Sequence, residues 1–235
     1  MKGFGAIRID NDSSLKQFTY FDKKEKVDKG IASKHYEKLL AIICLESVLN
    51  ECQVIFECHF NYSNEELTDL YNKNISFQNI YLSTTDENNM ICEPSQFKAN
   101  SFLMFSTHDI YPLKAHLTST NNFMDISAQE DENWVGFVNL HKMYLERELQ
   151  NEFGLKDLDA DGLVHYANLL GAKSNANMFS MQLNDLLGMT ERVNIPNTSF
   201  GFKNWRLKLP KITVDIFNNP DIMTLLNDVK KLRRL

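Results

Sequence analysis

The chain has 235 residues, 43% of them hydrophobic and 24% charged, a composition with enough apolar mass for a packed core. Its net charge of −6 gives no electrostatic reason to expect nucleic acid as a partner. No apolar run approaches membrane-spanning length and the opening MKGFGAIRID lacks the long apolar centre of a signal peptide, so a cytoplasmic protein without a membrane partner is expected.

GAIRID (5–10) reads as a short strand ending in charge. KHYEKLLAIICLESVLNE (34–51) carries Tyr36, Leu39, Leu40, Ile43 and Val48 at helical spacing. QVIFEC (53–58) is a second short apolar run. SNEELTDLYNK (63–73) opens on Ser63 with Glu66 three residues later, which predicts a helix with a capping box. QNIYLS (78–83) and NSFLMFST (100–107) read as strands. Two polar loops are expected, at 84–99 and 119–133. WVGFVNLHKMYLERELQ (134–150) and DADGLVHYANLLG (159–171) are helical by pattern, the second stopped by Gly171. MFSMQ (178–182) is the last strand and DIMTLLNDVKKLRRL (221–235) the closing helix. Strands alternating with helices imply crossover units and a parallel sheet. No repeat and no internal boundary stands out, so 1–235 is read as a single partial domain. Cys44, Cys52, Cys58 and Cys92 form no CxxC pair and are expected as free thiols.

Three strand candidates end in a carboxylate: Asp10, Glu57 and Asp109. In a parallel barrel the strand C-termini form one rim, and active sites sit there. Arg8 and Asp10 are two apart and share one side of their strand. Three acids on one rim suit glycosyl chemistry, in which a retaining mechanism needs an ionised nucleophile and a protonated acid roughly 5 Å apart. Arg8 is expected to keep Asp10 ionised, and negative neighbours to hold the proton on Glu57. The alternative is that strand-end acids cap helices or meet solvent.

AIRID, VIFE and STHD, in that order, resemble the nucleophile, acid/base and third-acid motifs of the amylomaltases. These are 4-alpha-glucanotransferases, or disproportionating enzymes, of the alpha-amylase superfamily. LAIICLESVLNECQVIFE resembles that family's helix and strand before the acid/base, and DLLGMTERVNIPNTSFGFKNWRLKLP (185–210) its closing signature. The resemblance implies an α/β fold, the C-terminal portion of a (β/α)8 TIM barrel. That barrel would be incomplete, because the family's nucleophile strand is about the fourth of eight and here it is the first. It implies Asp10 as nucleophile, Glu57 as general acid/base, and Asp109 as the acid that holds sugar hydroxyls. Arg8 would bind Asp10, and His108 the donor sugar. The substrate would be a maltodextrin or other α-1,4-glucan, with no metal and no organic cofactor. Partners would be a separate N-terminal half or a second copy. The alternative within the resemblance is an inactive remnant or half-barrel subunit. Departures from the family are Asn11 for His, Cys58-His59-Phe60 for Asp-Leu-Gly, and Asn197 for Gly.

Residues 157–168 resemble a calcium loop, with Asp157, Asp159, Asp161 and Gly162 in place but Asn168 where a bidentate Glu is needed. An acidic helix start is the better reading. Cys58 and His59 beside Glu57 have no second ligand pair at metal spacing. The basic run KKLRRL suits the last turn of a helix. Trp134, Trp205, Tyr36 and Phe202 either stack on sugars or pack in the core.

Overall fold

The computed structural model describes residues 5–22, 27–33, 35–57, 62–86, 88, 90–118, 132–196, 198 and 201–233. In chain order the elements are β1 (Ala6–Ile9), β2 (Gln17–Asp22), β3 (Val27–Ser33), α1 (Tyr36–Leu49), β4 (Gln53–Phe56), α2 (Asn64–Asn72), β5 (Ile75–Ile80), β6 (Ser101–Met104), α3 (Leu113–Thr118), α4 (Glu132–Phe153), α5 (Ala160–Ala172), β7 (Met178–Ser180), α6 (Leu183–Leu186), α7 (Thr213–Phe217) and α8 (Pro220–Leu232). Five strands form one sheet in the order β1-β4-β5-β6-β7. It is a parallel half-barrel, in agreement with the expected partial barrel. The chain divides into two compact units. One holds Met1–Asn79, Lys98–Phe102 and Ala176–Met178, the other Ile80–Phe97, Leu103–Asn175 and Phe179–Leu235.

In the first unit the strand alternation sorts side chains onto two faces. β1 runs parallel to β4 with Ile7 opposite Val54, Arg8 opposite Ile55 and Ile9 opposite Phe56. β4 runs parallel to β5 with Val54 opposite Ile75 and Phe56 opposite Phe77. Val54, Phe56, Ile75 and Phe77 therefore share a face, and all four are buried with Leu40 of α1, Leu70 of α2 and Tyr62. Phe77 sets its ring edge-on to Phe56 at 5.9 Å and to Tyr71 at 5.3 Å. The opposite face carries Arg8, Gln53, Ser76 and Gln78. There Gln53 Nε2 donates to Ser76 Oγ at 3.0 Å and to the Asn74 carbonyl at 2.8 Å. α2 begins as expected: Ser63 Oγ accepts from Glu66 N at 3.2 Å, and Glu66 Oε2 accepts from Ser63 N at 2.8 Å. In α1 only part of the apolar pattern faces the core. Leu40 is buried, whereas Ile42, Leu45, Val48 and Leu49 are exposed.

The second unit packs its helices about aromatic rings. Tyr81 stacks on Phe105 at 4.7 Å and 7°, and both are buried. Gly171 does not stop α5, which runs on to Ala172. Its role is close packing: a Cβ there would lie 2.5 Å from the Phe179 ring and 2.9 Å from that of Phe105. Asp159 caps α5 by accepting from Gly162 N at 2.8 Å. Asp161 pairs with Lys114 at 2.7 Å, and Asn168 Nδ2 donates to the Val164 carbonyl. Helix from Ala160 onward thus occupies the later positions of the loop, and Asp159 is spent on the cap. Of the basic C-terminal run, Arg233 turns inward and donates to the Ser174 carbonyl at 3.2 Å, beyond the end of α5.

Several expectations shift. The strand expected at 78–83 lies at Ile75–Ile80, and Tyr81–Ser83 form a 3₁₀ turn. Asn74, at φ 61, makes the left-handed turn that starts the strand earlier. The polar loop at 84–99 is partly core, with Ile91, Cys92, Pro94 and Phe97 buried. The antiparallel hairpin β2–β3 and the short helices α3, α6 and α7 were not expected. The loop read at 119–133 falls at 119–131 outside the described residues, as do Cys58, His59, Phe60 and Asn197.

His116 of α3 and His141 of α4 meet ring nitrogen to ring nitrogen at 2.9 Å. Burial pushes both imidazoles down to about 4 from their ordinary 6.5. The folded state therefore favours the neutral pair. Its contribution is complete above pH 6.5, declines as pH falls below that value, and is lost on passing about 4. Thermal melts from pH 7.5 to about 4 should show this decline. Replacing both histidines with glutamine should flatten it.

Candidate active site

β1 delivers Arg8 to the polar face of the sheet, and Asp10 follows directly after the strand. The Arg8 guanidinium is planar, with donors in a fixed fork. It uses three of its nitrogens on three different partners. Nε donates to Gln78 Oε1 at 2.6 Å, one terminal nitrogen to Asp10 Oδ1 at 2.9 Å, and the other to Glu57 Oε1 at 2.6 Å. The same side-chain alternation makes this possible, because Arg8 lies opposite Ile55 and Glu57 is two residues further along. The second Glu57 oxygen accepts from the Asn11 backbone N–H at 2.7 Å. Asn11 stands at φ 46, a left-handed conformation that Asn tolerates and that aims this N–H. The Arg8 and Glu57 side chains are 28% and 27% exposed, whereas Asp10 is 75% exposed. Negative neighbours were expected around Glu57, but its close partners are a cation and an amide.

The second unit holds His108 and Asp109. Asp109 Oδ1 accepts from Asn194 Nδ2 at 2.6 Å, and Oδ2 lies 3.2 Å from His108 Nε2. The Asp109 carbonyl accepts from the Arg192 guanidinium, whose Nε also donates to the Asn194 carbonyl at 2.8 Å. The segment leading through these residues is braced by a buried carboxylate. Asp185 Oδ1 accepts from Leu113 N at 2.6 Å, at the start of α3, and Oδ2 accepts from the Ser106 hydroxyl. Burial raises the Asp185 carboxyl, opposed by those two hydrogen bonds.

The structure brings Arg8, Asp10 and Glu57 together in one unit, and His108 with Asp109 in the other. Gln78, Asp185, Arg192 and Asn194 were not singled out as site residues. Gln78 lay at the start of a misplaced strand. Its signal was a polar side chain two residues beyond Ser76 on a strand with apolar neighbours. The other three sit in the closing signature without anything local to assign them a partner. Among the described residues no group of three or more His, Cys, Asp or Glu is placed to hold a metal.

Removing the fork leaves two carboxylates and an amide without their shared donor. Arg8→Met should cost about 1–3 kcal/mol, read as a lower urea midpoint at unchanged slope. Lys142, whose pair with Glu146 is exposed, serves as the control. Lys142→Met should change stability by less than about 0.5 kcal/mol.

A family model described as 4-alpha-glucanotransferase matches residues 1–213. The 4-alpha-glucanotransferase of Haemophilus influenzae is 25% identical over 260 residues, an alignment that takes in 100% of this chain and 36% of that protein. The solved amylomaltase from Corynebacterium glutamicum superposes with a TM-score of 0.79 at 16% identity, covering 97% of this chain and 35% of that one. The amylomaltase from Streptococcus agalactiae, in complex with acarbose, gives a TM-score of 0.65 at 16% identity, covering 97% of this chain and 41% of that one. The chain thus spans little more than a third of the curated relative, whose 36% coverage sets that proportion. These structural likenesses share the partial barrel described above. No helix among the described residues is long and apolar enough to cross a membrane. The family match runs through nearly the whole chain, over both units, and on that ground the chain belongs to the 4-alpha-glucanotransferase family.

Proposed function

We propose that this chain carries the catalytic carboxylates of a 4-alpha-glucanotransferase that moves α-1,4-glucan segments between maltodextrins by a retaining double displacement. The observation that carries this reading is the single guanidinium bound to both Asp10 and Glu57. Bridging by one group keeps the two carboxyls close enough to act on one glycosidic bond; in a retaining pair they lie about 5 Å apart. The wider spacing of an inverting pair, about 6.5–9.5 Å, makes room for a water.

In the first step the Asp10 carboxylate attacks the anomeric carbon of the donor. The bond from that carbon to the glycosidic oxygen breaks, and the Glu57 carboxyl gives its proton to the departing 4-oxygen. A glycosyl ester on Asp10 results. In the second step the 4-hydroxyl of an acceptor glucan attacks the same carbon, its proton passes to Glu57, and Asp10 leaves as carboxylate. Arg8 stabilises the carboxylate form of Asp10 between turnovers. Asp109 and His108 hold the hydroxyls of the donor sugar, with Asn194 fixing the Asp109 carboxylate. All 235 residues act as one partial catalytic domain in this reading, working in the cytoplasm in carbohydrate metabolism.

A second reading is a half-barrel that works only with further β/α units, from a companion chain or a second copy. One observation favours it. Among the described residues β1 ends the sheet, and α1 exposes Ile42, Leu45, Val48 and Leu49 as an apolar stripe.

Incubation with maltotriose separates the two. The first reading predicts a ladder of longer maltodextrins with released glucose, lost in Asp10→Asn and in Glu57→Gln. The second predicts no ladder from this chain alone and one on adding further β/α units. No ladder under either condition overturns both.

A further inference from the structure

We infer that Trp205 is a glucan-stacking platform for the Asp109 side of the site, an inference that rests on the glucan reading above. Three observations point to it. Trp205 is 63% exposed, although a bulky aromatic of this size is normally drawn into a core. Its backbone stands at φ 61, a left-handed conformation that is an outlier for a bulky side chain. Its ring lies 5.0 Å from that of His108, whose Nε2 reaches the Asp109 carboxylate.

The conformation is held by built contacts. Trp205 N donates to the Val193 carbonyl at 3.0 Å, one residue before the Asn194 that binds Asp109. Asn204 ties the same loop: its Oδ1 accepts from Ile195 N at 2.9 Å, and its Nδ2 donates to the Thr198 carbonyl at 2.9 Å. A loop anchored on both sides thus spends an unfavourable backbone conformation on keeping an indole in solvent. Strain that the surroundings over-determine is characteristic of ligand clamps.

The chemistry selects the ligand class. A glucosyl ring has C–H-lined faces and a rim of hydroxyls. The indole offers a flat apolar surface to such a face. Asp109 and Asn194 offer acceptors and donors to the hydroxyls, and each retains hydrogen-bonding capacity beyond the bond they share. A flat ring beside the Asp109 carboxylate and the Asn194 amide, with the Arg192 guanidinium engaged on the Asp109 and Asn194 carbonyls, suits the apolar face and hydroxyl rim of a sugar.

The test uses the full chain and maltoheptaose. The sequence has two tryptophans, so Trp134→Phe leaves Trp205 as the only indole reporter. Maltoheptaose should shift its emission saturably. By calorimetry Trp205→Gly should bind about ten-fold more weakly, and Trp205→Phe within about three-fold of the unsubstituted chain. Glycine is at ease at this φ, so Trp205→Gly should melt no lower than the parent. A lower melting temperature in Trp205→Gly would make the indole a packing residue and overturn the inference. Equal maltoheptaose affinity with and without the indole, or an unmoved emission during calorimetric binding, would overturn it while leaving the glucan reading intact. No binding by the unsubstituted chain at millimolar maltoheptaose would overturn both.

Discussion

The register of β1 on β4 is the constraint from which the Arg8 cluster follows. With Arg8 opposite Ile55, the even residues of β1 and the odd residues of β4 face one way. A slip of one residue would send Arg8 among the helices and Ile7 and Ile9 to the polar side. The register is fixed from behind. Val54, Phe56, Ile75 and Phe77 are almost wholly buried against α1 and α2, each worth roughly 1.5–3 kcal/mol of burial. The polar face therefore inherits its geometry from the apolar one. The packing that stabilises the first unit also holds a cation, two carboxylates and an amide within reach of each other.

A similar economy appears in the second unit. Asp185 is buried, and its carboxylate satisfies the first amide of α3 and the Ser106 hydroxyl. An unpaired group at either position would cost about 1–3 kcal/mol. One side chain thus fixes both ends of the stretch that contains His108 and Asp109. Arg192 and Asn194 then hold Asp109 by its carbonyl and its carboxylate. The closing signature supplies the clamps for an acid that lies far earlier in the chain.

What could be read from sequence was local. The Ser63–Glu66 box is a contact across three residues and formed as expected. The shared side of Arg8 and Asp10 follows from strand alternation alone, and the pair is in place. The partial parallel barrel followed from strand–helix alternation and from the motif order. The partners of Asp109 and Ser106 were beyond such reasoning, since Asn194 is 85 residues from Asp109 and Asp185 is 79 from Ser106. Gly171 matched the pattern of a helix stop, but the close approach of the Phe179 and Phe105 rings, a packing contact that periodicity does not report, explains it better. The hairpin β2–β3 was hidden by the charges in and around its strands, which lower β-propensity.

The proposed roles, Asp10 as nucleophile and Glu57 as proton donor, require a glycosyl ester on Asp10. Their most direct test is to trap the glycosyl-enzyme. α-Glucosyl fluoride needs no acid to expel its leaving group, so Glu57→Gln should still form the ester while its breakdown is slowed. Mass spectrometry of the digested Glu57→Gln protein should find one glucosyl residue on the peptide that contains Asp10, and none after Asp10→Asn is added. A glucosyl residue on another carboxylate, or the same labelling with Asp10 replaced, would rule out Asp10 as the nucleophile.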